Sequence, residues 1–245
     1  MTDNFFALYD TIIDALPGDG VIETVLSGER WALAESLTGS ALAMMTEGDS
    51  IAPMFPRGLT GMDIKTAAQA IKSWNFEEAG LSIAAVNSVY NTPERMEALS
   101  CYLPFERFYT EGIDFHGKTV GLVGHLHGPK NMREDAKTVY ILERSPHDGD
   151  YPDSACDYIL PRCDIVLITG SSLVNKTLPH LLELCKNAYT VLTGPTVPMC
   201  PELLEHGIDR LAGLVVTERD ALRAHVVHGD HGTPFIFGKP FMLTK

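Results

Sequence analysis

The sequence predicts an α/β protein of two domains, an α+β domain followed by a Rossmann-like parallel-sheet domain. Two patterns carry that reading. The amino-terminal part strings β-rich runs together with short turns and then turns helical, the order of an α+β unit. From Lys118 onward, short apolar strands alternate with helical segments, the pattern of a parallel sheet with right-handed crossovers. The expected boundaries are residues 1–92 for the first domain and 117–245 for the second, with 93–116 as the connection.

In chain order, Phe5, Leu8, Tyr9, Ile12 and Leu16 mark an amphipathic first helix, ended by Pro17-Gly18-Asp19-Gly20. Residues 21–26 and 31–37 flank Ser27-Gly28-Glu29-Arg30, which is a hairpin signal. Residues 40–46 read as a third strand of the same meander. A loop with Pro53, Pro56 and Gly58 follows. Thr60 or Asp63 can cap the next helix, whose apolar face is Ile64, Ala67, Ala68, Ile71 and Trp74. Residues 76–90 form another helix, rich in Ala and Ser and almost uncharged beyond Glu78, so it is expected to be buried. The connection carries Pro93, Pro104 and Gly112, with one short helix near 94–99.

In the second domain the strands fall at 118–123, 138–142, 164–169, 189–193 and 211–216. Helical segments fall near 129–136, 153–160, 177–186, 201–206 and 218–227. Residues 165–168 are wholly apolar, as expected of a central strand buried on both faces. Pro179 fits only a first turn, so its helix starts close to Thr177. The tail, 228–245, holds Phe235, Ile236, Phe237, Phe241 and Leu243 and is expected to pack back on the body.

A formal net charge of −13 disfavours nucleic acid as a partner. Neither a long apolar span nor a signal-peptide pattern is present, so no membrane partner and a cytoplasmic location are expected. Cys101, Cys156, Cys163, Cys185 and Cys200 are an odd, scattered set with no C-x-x-C, which points to reduced thiols. The sequence has no G-x-S-x-G elbow and no P-loop, which argues against common hydrolase and nucleotidase designs.

The candidate site is built from turns at the carboxyl ends of the strands, where open α/β sheets bind ligands. Thr169, Gly170, Ser171 and Asn175 follow the central strand, and Gly194, Pro195 and Thr196 follow the next one. The Ser171 hydroxyl and loop amides, at the positive end of a helix, would favour a carboxylate, a phosphate or an electron-rich ring edge. The first turn reads Gly121-x-x-Gly124-His125-x-His127-Gly128, which lacks the G-x-G-x-x-G spacing and so disfavours NAD. His125 and His127 could serve as acid/base groups or as ligands, which leaves a divalent metal open as a cofactor. His228, Asp230 and His231 are a second, weaker set. Glu143 ends the second strand, where an acid can accept from ribose hydroxyls. Asn87 lies on the buried helix and needs partners, either a neighbouring loop or the domain interface.

Four motifs together resemble a known family: A-A-V-N-S at 84–88, I-T-G-S-S-L-V-N-K-T at 168–177, L-T-G-P-T-V-P at 192–198 and L-A-G-L-V-V at 211–216. The sequence is similar to the putative heavy-metal-chelation family along nearly its whole length. The resemblance implies an enolase N-terminal-like first domain, a Rossmann-like second domain and a site in the cleft between them. It implies handling of a small molecule or metal chelate: either condensation or hydrolysis in flavin-, pterin- or siderophore-like metabolism, or non-catalytic chelation and delivery. Enolase chemistry is not implied, because that belongs to a barrel absent here. A homodimer is left open.

Overall fold

The structure is a computed structural model that describes residues 4–48, 51–99, 101–102, 109–126, 128–229 and 232–245. The first domain runs α1 (Ala7–Asp14), β1 (Ile22–Ser27), β2 (Trp31–Ser36), β3 (Ser40–Met44), α2 (Ile64–Ala68) and α3 (Phe76–Tyr90). Its three strands form an antiparallel meander in the order β1-β2-β3. Asp63 caps α2 by accepting from the Thr66 amide at 3.1 Å. The helix tightens into a 3₁₀ turn at Gln69–Lys72 and ends there. Trp74 therefore leaves the expected apolar face: it is 55% exposed, with its ring tilted by 59° against that of Phe6.

Helix α3 is the centre of the first domain. Asn75 caps it by accepting from the Glu78 amide, and the buried Glu78 carboxylate accepts from the amides of Met54 and Phe55. A buried carboxylate is tolerated when backbone donors satisfy it in this way. Ala79, Gly80, Ala84 and Ala85 keep the helix thin enough to be covered on several sides, by β2, β3 and the second domain.

The remainder runs α4 (Pro93–Leu99), β4 (Cys101–Tyr102), β5 (Thr119–Val123), α5 (Lys130–Asp135), β6 (Thr138–Glu143), β7 (Tyr151–Pro152), α6 (Cys156–Ile159), β8 (Ile165–Thr169), α7 (Ser171–Val174), α8 (Leu178–Leu184), β9 (Tyr189–Thr193), β10 (Arg210–Val216), α9 (Arg219–His228) and β11 (Gly238–Thr244). These strands form one sheet, ordered β4-β11-β10-β9-β8-β5-β6-β7. The strands from β10 to β7 pair in parallel, and β11 and β4 add antiparallel pairs at the other edge. This is a two-domain α/β protein with a small antiparallel sheet and a large, mostly parallel one.

Several elements differ from the sequence reading. The connection contributes β4, and β7 extends the opposite edge; each has two residues, too few for any hydrophobic period to register. The tail packs back as β11, with Phe241 and Leu243 buried at alternating positions, while Ile236 stays exposed. Residues 201–206 form a 3₁₀ rather than an α-helix. A separate one-turn helix, α7, starts directly at Ser171, whereas the helix that holds Pro179, α8, starts at Leu178 with Thr177 as its N-cap, as its proline requires.

The two domains are joined by side-chain amides. Asn87 Nδ2 donates to the carbonyls of Thr196 at 3.0 Å, Leu42 at 3.3 Å and Pro195 at 3.4 Å. Asn91 Nδ2 donates to Val197 O at 2.9 Å and Leu214 O at 3.3 Å, while its Oδ1 accepts from the Met199 amide at 2.9 Å. Thr196 Oγ1 accepts from the Met44 amide at 2.9 Å. Loop 194–198 is thereby fixed to β3 and to the end of α3. Gly170 lets this loop approach β8: a Cβ there would sit 2.8 Å from Val197 Cγ2 and 3.1 Å from the Val197 nitrogen.

Asn91→Ala would strand the Val197 and Leu214 carbonyls and the Met199 amide, all on the second domain. A loss of about 1–3 kcal/mol is expected, read by chemical denaturation. A variant as stable as the parent would show that the junction does not depend on these bonds.

Candidate interdomain binding site

The chain passes from β5 to β6 and β7 on one side, then returns to place β8 on the other side of β5. The carboxyl edge between β5 and β8 is thus a topological switch point, where such sheets leave a crevice. A cavity of about 450 Å³ lies there. Gly124 after β5, Glu143 at the end of β6 and Thr169 at the end of β8 line it, with Ser171, Ser172 and Asn175 beyond. Met44, Met45, Thr46 and Glu47 of the first domain close the other side. Gly124 holds φ 97°, and a side chain there would press on Thr169 Cγ2 at 2.9 Å, so glycine keeps this wall thin.

The expected site residues separate into two groups. Gly124, Glu143, Thr169, Ser171 and Asn175 line the cavity together. Asn87, Gly170, Gly194, Pro195 and Thr196 are not among the lining residues: Asn87 and Thr196 bond across the domain junction, and the Gly170 and Gly194 amides pair with the Thr193 and Ala212 carbonyls within the large sheet. His125 is outside the lining and faces His147 and Asp150 instead. His127, Asp230 and His231 lie outside the described residues. His228 sits on the last turn of α9, 2.7 Å from the Ala224 carbonyl.

The local chemistry differs from the expected anion site. The Gly170 amide is spent on Thr193 O at 2.7 Å, and Ser171 Oγ pairs with Thr169 Oγ1 at 3.1 Å. Helix α7 is a single turn and offers little dipole. Asn175, which lines the cavity, accepts through Oδ1 from the amide and hydroxyl of Thr177, and its Nδ2 is a further donor. Carboxylates dominate the lining: Glu47, Glu143, Asp153 and Asp157 against Arg144. That charge opposes a phosphate or carboxylate and favours hydroxyl, amine or cationic groups.

Sequence reasoning missed His180, which lines the cavity with its Nε2 3.0 Å from Asp157 Oδ1. Cys156 also lines it, but burial, with Asp153 and Asp157 nearby, pushes its thiol up to about 11. It is not a thiolate nucleophile at neutral pH. Cys163, Cys185 and Cys200 are buried and free as well, among the described residues. No helix among the described residues is long and apolar enough to cross a membrane.

Lys176 breaks the chain between α7 and α8 with φ 66°. Its Nζ donates to Val174 O at 2.8 Å and lies 5.4 Å from the Tyr9 ring centroid and 5.8 Å from that of Phe76. Burial pulls its pKa from 10.5 down to about 7. Between those values unfolding takes up a proton, so this residue makes stability rise with pH across the window and leaves it flat below. Lys176→Met should therefore gain most over the parent near pH 7, with the gap closing toward pH 10 in thermal melts. A gap that stays constant with pH would show that the lysine is already charged in the fold.

Known proteins place the chain. A family model described as putative heavy-metal chelation (DUF364) matches residues 113–239, and another of the same description (DUF4213) matches 9–90. An uncharacterised protein of Methanocaldococcus jannaschii is 31% identical over 156 residues, which cover 60% of this chain and 58% of that protein. The match thus spans little more than half of that relative's length. The crystal structure of a DUF364-family protein of unknown function from Desulfitobacterium hafniense is similar with a TM-score of 0.86 and 32% identity, covering 100% of this chain and 99% of that one. A second such structure, from Pyrococcus horikoshii, has a TM-score of 0.75 at 22% identity over 98% and 99% of the two chains, a likeness of fold alone. Matched across both domains, this chain belongs to the putative heavy-metal-chelation family.

Proposed function

We propose that this protein binds a small, hydroxyl- or amine-bearing heterocycle of the flavin, pterin or siderophore kind in the cleft between domains 1–92 and 117–245, with 93–116 as the connection. The cleft serves as a binder of a metal-chelating compound. The observation that carries this reading is the acidic lining of a cavity of about 450 Å³, a volume within the usual range for small-molecule sites. Glu143 accepts hydroxyl or amine hydrogens at the strand end, Asn175 Nδ2 donates, and Val123, Leu142 and Leu181 offer apolar surface to a ring. The family description supports a ligand related to metals.

A second reading, an enzyme of condensation or hydrolysis, is favoured by the His180–Asp157 pair. Asp157 would orient the imidazole, and His180 would take a proton from water or a hydroxyl group as general base. With the Cys156 thiol pushed up to about 11, the step would proceed without a covalent thioester.

Fluorescence titration with riboflavin and neopterin, each against its phosphate ester, tests the binding reading. The uncharged compound should bind at least about tenfold more tightly than its ester, since the ester meets the carboxylates. Glu143→Gln should cost the uncharged compound about ten- to a hundredfold, the worth of one charge-assisted hydrogen bond of roughly 1.5–3 kcal/mol. Tighter binding of the esters, or no binding of any probe, would overturn the assignment.

A further inference from the structure

His125, His147 and Asp150 converge from two neighbouring loops at the carboxyl edge of the large sheet. His125 follows β5, and His147 and Asp150 follow β6. The parallel register pairs Val123 with Leu142, which sets the two loops side by side. One potential ligand atom from each residue lies within 4.8 Å of the others. The two imidazole rings are 5.1 Å apart, centroid to centroid, and tilted by 53°. Asp150 Oδ2 accepts from the His147 amide at 2.9 Å and lies 3.3 Å from His125 Nδ1. The Asp150 side chain is only 3% exposed, whereas that of His125 is 41% exposed.

Turn geometry explains part of this arrangement. One acceptor on the His147 amide is enough to close the loop. It does not explain why two imidazoles gather on the same occluded carboxylate. A single cation between the three groups would engage all of them.

We propose that His125, His147 and Asp150 form a binding site for one divalent first-row transition-metal ion such as Zn²⁺, Co²⁺ or Ni²⁺. Metal–nitrogen and metal–oxygen bonds of about 2.0–2.2 Å put neighbouring ligand atoms within roughly 3–3.5 Å of each other, so the set closes with small rotations of two exposed imidazoles. Two imidazoles and one carboxylate suit these borderline metals, whereas Mg²⁺ and Ca²⁺ prefer all-oxygen sets. The Asp150 contact with the His147 amide is a ready-made orienting bond of the kind that tunes metal ligands. Three protein ligands leave coordination positions open to donor atoms from another molecule. Gly124, Arg144 and Ser145 line the cavity and lie close before the ligands in the chain, so the three ligands sit on loops that adjoin it. The metal site stands on its own residues and survives whichever ligand the cleft takes.

Co²⁺ is the probe, titrated into the metal-stripped full chain and followed by visible absorption and calorimetry. One saturable Co²⁺ per chain is expected, and excess Mg²⁺ should not displace it. His147→Ala and Asp150→Asn should each weaken Co²⁺ binding by at least about tenfold. Their melting temperatures without metal should stay near that of the parent, since His147 is exposed and an asparagine at 150 keeps an oxygen to accept from the His147 amide. His228→Ala, on the distant last turn of α9, should bind Co²⁺ as the parent does. No saturable Co²⁺ binding, equal affinity in the His147 and Asp150 variants, or a loss confined to His228→Ala would overturn the site. Riboflavin titration of the metal-free protein reads the cleft separately, so failure of one assignment does not mask failure of the other.

Discussion

The amide side chains of Asn87 and Asn91 set the position of one domain on the other. Both sit at the end of a buried helix, and both bond to backbone groups of loop 194–198 or its neighbours. Polar groups buried at a domain junction must be paired, so they specify one arrangement where apolar packing alone would tolerate several. That arrangement brings Met44–Glu47 over the carboxyl edge of the large sheet. Without it the switch point between β5 and β8 would be an open edge rather than a cavity. The ion pair of Arg223 on α9 with Glu35 on β2 braces the same contact from another side.

Charge then favours some occupants of the cavity over others. The whole chain is acidic, and its cleft is acidic too. Long-range and local fields therefore act in the same direction and draw in cationic or hydrogen-donating ligands. A metal ion held by His125, His147 and Asp150, on loops that adjoin the cavity, would put positive charge beside this field. The two features fit a ligand that both donates hydrogen bonds and carries metal-binding atoms.

Much of the framework was legible in the sequence because it rests on local periodicity. The meander, the buried α3, the five main parallel strands and the cap at Asp63 each follow from residues within a few positions of one another. Elements of two residues or one turn, β4, β7 and α7, carry no period and could not be seen. The site was half legible. Gly124, Glu143 and Thr169 sit at strand ends, with Ser171 and Asn175 in the turn that follows, and strand ends are readable. The division between cleft wall and junction depends on which loop faces which domain, a long-range fact. The partners of His125 were hidden for the same reason: His147 and Asp150 reach it only through the register of β5 with β6. The Pro-His-Asp-Gly-Asp run at 146–150, after the end of the second strand, was the available signal.

The most direct test of the central claim is a crystal structure of the protein purified rapidly from its own cells, so that a bound metabolite is retained. Ligand density is expected in the cleft, touching Glu143, Ser171 and Asn175 and covered by Met44–Glu47. Density instead in the groove between α1 and α8, beside Phe5, Pro179, Glu183 and His206, with only solvent in the cleft, would contradict it.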